Sequence, residues 1–125
     1  MLIALFAVLF LGGSIQDAVL DYIADTGKSV KTVVVDDERR KRVTSTLKAM
    51  KKRTNERVKS AQQIAKRLKS ALAEHDTRET SLNAAWDEYF TIIDAYNNDM
   101  IDLRFKLKEQ LSREEWQELF NQPEK

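Results

Sequence analysis

Apolar residues recur along most of this chain at alternating intervals of three and four, a spacing that gathers them on one stripe of an α-helix. The cleanest run is Leu82, Trp86, Tyr89, Ile93, Tyr96, Met100, Leu103 and Leu107, with Ala85, Phe90, Ile92, Ile101 and Leu111 widening the stripe. An earlier run holds Val43, Leu47, Met50, Val58, Ala61, Ile64, Leu68 and Ala71, with Ala65 and Leu72 beside it and Thr54 and Arg57 at its two weaker positions. Each run predicts a long helix, the first over about 37–73 and roughly 55 Å long at ~1.5 Å per residue. Only Glu74-His75-Asp76-Thr77 interrupts the pattern between them. A connection that short forces two long helices to pack antiparallel. Asp76 with Glu79 reads as a D-x-x-E variant of the capping box that starts the second of the pair.

The ends of the chain break this pattern in different ways. Met1 to Leu11, MLIALFAVLFL, is apolar on every face, and Gly12-Gly13-Ser14 follow before the first charge at Asp17. An apolar run of this length fits an export signal, with Gly12-x-Ser14 as a small-x-small cleavage pattern. The 15 uncharged residues Leu2–Gln16 also fit a short anchor of about 22 Å, continued as an interfacial stripe by Ile15, Val19, Tyr22 and Ile23. A buried or self-associating soluble helix is the third reading. Lys28 and Lys31 follow the segment and no base precedes it, which favours a cytoplasmic C-terminal part; the signal-like length and the Gly-Gly-Ser exit favour export. Gly27 suits the C′ position of this first helix. Val30 and Val33–Val35 then read as a linker, and Asp36 or Asp37 as the next N-cap. At the other end Ser112-Arg113-Glu114-Glu115 is a capping box, and Trp116, Leu119 and Phe120 form an i, i+3, i+4 triplet, so a short helix over 112–121 is expected.

The expected fold is therefore all-α: a long antiparallel, coiled-coil-like hairpin with an apolar N-terminal helix and a short C-terminal one. The organisation reads as 1–26 signal or anchor, 27–36 linker, 37–121 hairpin with its short helix, and 122–125 tail. From Lys28 to Gln122 there is neither Gly nor Pro, which suits helices and not a β domain rich in turns. Two helices alone bury little, so the wide aromatic stripe predicts a third surface: the last helix, a second copy or a partner protein. Trp86, Tyr89, Ile93, Tyr96, Met100, Leu103 and Trp116 are the candidate core or partner interface.

Charge adds an asymmetry that the net value of +1 conceals. From Glu38 to Ala73 there are 13 Lys or Arg and two acids, whereas Asp76–Leu111 holds eight acids and four bases. Complementarity between neighbouring helices accounts for part of this. The excess marks a candidate surface for anionic lipid headgroups, nucleic acid or acidic protein, densest at Arg39, Arg40, Lys41 and Arg42 and at Lys51, Lys52 and Arg53. Proximity to the apolar segment favours lipid. Nucleic acid is disfavoured, since no aromatic residues interleave with these bases for stacking.

Candidate chemistry is sparse. With no cysteine in the chain, disulfides, thiolate metal sites and cysteine nucleophiles are excluded. The single histidine, His75, sits between Glu74 and Asp76 and reads as an exposed turn residue. The Glu-x-x-His pairs of a di-metal bundle, a Gly-rich phosphate loop and a nucleophile elbow are all missing. Asp87, Glu88, Asp99 and Asp102 read as an outer charged face. No catalytic residue, metal site, cofactor or small-molecule substrate is expected, and the chain reads as a non-enzymatic protein.

Leu111-Ser112-Arg113-Glu114-Glu115 resembles the L-T-x-x-Q motif of the small periplasmic helical stress chaperones and metal-resistance sensors, the Spy-like family. Ser112 and Glu115 stand where that motif has Thr and Gln, and one copy is present. The resemblance implies an exported, hairpin-based and often dimeric protein whose basic surface holds unfolded clients. The leading expectation is a bacterial envelope protein, periplasmic or anchored in the inner membrane through residues 2–16, that binds partner or client proteins or a second copy. The alternative is a membrane-anchored assembly subunit whose basic arm touches anionic lipid.

Overall fold

Asp36 decides where the long basic helix begins. It lies in extended conformation (φ −70°, ψ 122°), and its carboxylate accepts from the Arg39 amide at 2.9 Å, satisfying one of the donors a helix start leaves unpaired. In this computed structural model the helices are α1 (Leu2–Val33), α2 (Asp37–Ala73), α3 (Glu79–Gln110) and α4 (Arg113–Phe120), with no strand among the described residues. The structure describes the backbone of residues 2–120 and the side chains of residues 17–120.

The all-α class and the hairpin follow the sequence pattern. Cross-links between α2 and α3 run in opposite senses along the two helices: Thr46 with Gln110, Arg53 with Asp99, Thr54 with Tyr96 and Arg67 with Glu88. That is the antiparallel register. Thr54, a weak point of the apolar pattern, is fully buried. Its hydroxyl donates to the Met50 carbonyl at 2.9 Å and so accepts from the Tyr96 hydroxyl at 2.8 Å. Arg57, the other weak point, lays its guanidinium over the Tyr96 ring, 5.1 Å from the centroid.

Three local expectations are corrected. Gly27 does not end α1, which continues to Val33. The continuation buries Val30 and carries the chain to a buried Val34, both in one cluster with Val43 and Leu47 of α2. Burying a valine offsets the ~1 kcal/mol a helical glycine costs. The linker therefore shrinks from 27–36 to the three residues Val34, Val35 and Asp36. Asp76 does not cap α3: the cap is Arg78, extended at φ −80°, ψ 145°, with no side-chain hydrogen bond. The turn closed by the Thr77 amide on the Glu74 carbonyl leaves Asp76 two residues short of the cap, beside His75.

The third surface turns out to be α1 together with α4. The helices pack as α2 with α3, α1 with α2, and α1 with α4. Ile23, Val30, Val34, Val43, Leu47, Leu107 and Leu111 form the core, with Val19, Met50, Met100, Trp116, Leu119 and Phe120 packed around it. It lies at the end of the hairpin away from the turn. Ile64 and Leu68 are buried separately, nearer the turn. Residues 17–33 thus belong to the bundle, and no structural boundary falls at 26. Cleavage after Ser14 would leave residues 17–33, and with them this packing, on the chain. The signal, anchor and buried-helix readings of residues 2–16 concern side chains outside the described set. Among the described residues no helix is long and apolar enough to cross a membrane.

Candidate functional site: an apolar groove and a basic face

Because α1 docks on α2 and α4, a crease stays open between α1 and α3. Val19, Tyr22, Ile23 and Thr26 form one wall; Asn97, Met100, Ile101, Arg104 and Leu107 form the other. Leu47 and Met50 make the floor, Trp116 and Phe120 close one end, and the volume is about 690 Å³. Its mouth carries apolar side chains that a folded core would normally cover: Tyr22 is 55% exposed, Ile101 50%, and neighbouring Phe105 on the same flank of α3 is 51% exposed. Trp116 and Phe120 pack with ring centroids 4.5 Å apart, Phe120 leans on Tyr22 at 6.3 Å, and Arg104 lies 5.1 Å over the Trp116 ring. The groove is greasy, deformable where its two methionines sit, and rimmed by a cation.

The short helix closing the groove is held by one ion-paired corner. Arg39 donates from both terminal nitrogens to Glu115, at 2.6 and 3.1 Å. The same carboxylate accepts from the Ser112 amide at 2.8 Å, while the Ser112 hydroxyl accepts from the Glu115 amide at 3.1 Å. The expected capping box is therefore present and is fused to α2. The hydrogen bonds from Arg39 hold the Glu115 carboxyl below its usual range; desolvation opposes this, and Ser112 adds to the lowering. Glu115 is only 12% exposed.

The aromatic stripe of α3 is unevenly covered. Among its expected interface residues Trp86, Tyr89, Ile93, Tyr96, Met100 and Leu103 are all half-buried, and Leu107 alone on α3 is fully buried. Nearer the turn Trp86, Tyr89 and Phe90 contact one another at 5.8–6.3 Å, and Phe90 is 55% exposed. The expected interface is thus split: Met100 and Trp116 enter the groove, whereas Trp86 and Tyr89 form a separate patch beyond the reach of α1 and α4.

The basic arm also divides. Arg39, Arg40 and Arg42 engage Glu115, Asp37 and Glu38, and Arg53 engages Asp99 and Glu56. Within the Arg39–Arg42 cluster, Arg39 ties α2 to α4, while Arg40 and Arg42 pair with acids one turn away on α2 itself. Lys41, Lys51 and Lys52 carry no ion pair among the described residues. His75 stands fully exposed at the hairpin turn, its Nδ1 3.0 Å from Asp76. Among the described residues no group of three or more His, Asp or Glu gathers into a metal-binding cluster.

The groove was hidden in the sequence because its walls come from four separate helices. The one available signal was the breadth of the α3 stripe, where Ile101 and Phe105 fall outside the seam. Compared with known protein families, characterised proteins and solved structures, the chain matches none.

Proposed function

We propose that this chain is a non-enzymatic binding protein of the cell envelope that holds apolar segments of partner or client proteins in the groove between α1 and α3. The observation that carries this is the open groove itself: a core-like lining of Val19, Ile23, Met50 and Met100 that continues onto exposed Ile101. A helical or extended apolar segment laid there finds the surface that a fourth long helix would otherwise cover, the helix-in-groove mode of recognition. Methionine lining suits varied occupants over one dedicated ligand. The apolar Met1–Leu11 run supports the envelope assignment, and the resemblance of residues 111–115 to the Spy-like motif supports the client-binding form of the reading.

The test is aggregation of a reduced, unfolding-prone model client followed by light scattering at equimolar chain. The wild-type chain slows aggregation several-fold, and Ile101→Glu with Phe105→Glu abolishes the effect while helicity is retained. An aggregation rate unchanged by the wild-type chain rejects the reading.

A further inference from the structure

We infer that the lysine face of α2 is a binding surface for an anionic lipid bilayer. The two kinds of base on this helix do different work. Of its six arginines, five are ion-paired and the sixth covers the Tyr96 ring. None of its seven lysines has an ion pair among the described residues. Arginine's planar fork suits fixed internal partners, whereas lysine is a hydrated point charge on a flexible stem.

Five of those lysines are aligned. Lys41, Lys48, Lys52, Lys59 and Lys66 all fall within an arc of about 40° at 3.6 residues per turn, along roughly 37 Å of one unbroken helix. That arc lies about 180° from Met50 and Leu68, so it faces away from the seam and from the groove floor. The acids at its margins are already engaged: Asp37 by Arg40, Glu38 by Arg42, and Glu56 by Arg53 at 3.6 Å. What remains is a straight row of uncompensated positive charge.

A bilayer is the partner this row fits. A straight row meets a plane along its whole length, whereas the phosphates of a nucleic-acid duplex wind away from it. The residues between the lysines include Ser45, Asn55, Gln62 and Gln63, with no ring on which a base could stack. Attraction to a charged leaflet is delocalised and needs no fork geometry; it amounts to roughly fivefold in partitioning per lysine near the surface. The apolar Met1–Leu11 run of the sequence is a second membrane signal, and stable membrane association generally takes two. The inference stands apart from the groove reading, because Ile101→Glu with Phe105→Glu leaves the lysine face intact.

The experiment is co-sedimentation of the full chain with vesicles of phosphatidylcholine alone or with about one-third phosphatidylserine. The wild-type chain partitions roughly tenfold or more in favour of the anionic vesicles. Lys48→Gln, Lys52→Gln and Lys59→Gln together collapse that preference at least fivefold, roughly the effect of a single lysine and so a conservative floor. Lys28→Gln, Lys31→Gln and Lys106→Gln, which remove the same charge elsewhere, change it less than about twofold; circular dichroism verifies that both variants keep their helices. Equal losses in the two variants, no preference for anionic vesicles, or tighter row-dependent binding to a DNA duplex than to the vesicles would each overturn the proposal.

Discussion

Gly27 is helical and a Cβ built on it meets nothing within 4 Å. Replacing it by alanine removes conformational freedom from the unfolded chain without a steric cost, so Gly27→Ala is expected to raise stability by about 0.5–1 kcal/mol in urea unfolding. Thr54 and Tyr96 behave in the opposite way. Their hydroxyls meet inside the seam at 2.8 Å, so Tyr96→Phe is expected to cost about 1 kcal/mol, and combining it with Thr54→Val should cost less than the sum of the two changes. Glu115 makes one corner sensitive to acid. Its carboxyl is depressed in the native state chiefly by the Arg39 hydrogen bonds, so its contribution is complete above the ordinary Glu value of ~4.3. The contribution is lost as the pH falls from there through the depressed native value. With Trp86→Phe as background, Trp116 fluorescence reports on α4: its emission should shift as acid releases the helix, and Glu115→Gln should flatten that pH dependence. An identical acid profile in the variant would show that the corner does not hold α4.

The elements were legible to different degrees, for physical reasons. Strict three–four spacing exposed α2 and α3, because their seam is a property of each helix alone. The Ser112–Glu115 cap was equally plain, since all four positions are local. The α1 boundary was not: a glycine followed by β-branched residues suggests an exit from a helix. Here the burial of Val30 and Val34 against Val43, a contact made only in the tertiary structure, carries the helix through to Val33. The same contact predicts that Val30→Ala costs about 2 kcal/mol and loosens α1 from α2, seen as faster amide exchange in residues 17–33 with α3 near the turn unchanged. The Asp76 cap failed for a related reason, because loop geometry and not sequence spacing places residues at a helix start.

At the scale of the whole molecule, α2 is a partition. Its seam side holds α1 and α3 and floors the groove with Leu47 and Met50, while its outer side presents the lysine row. Sequence showed the charge excess as one patch at Arg39–Arg42 and Lys51–Arg53. The structure divides it into arginines that pair with acids of α2, α3 and α4 or cover Tyr96, and lysines that face outward, a distinction that rests on which acids lie within reach of each base. The two faces point apart, so a chain resting on an anionic surface would keep its groove open to a protein. Hydrogen exchange on the full chain with and without an unfolding client is the most direct test of the groove. Occupancy of the groove predicts slowed exchange in residues 17–26 and 97–107, with the tip around Trp86 and the α2 segment near the turn unaffected. Protection confined to the tip, or none in either groove wall, would contradict it.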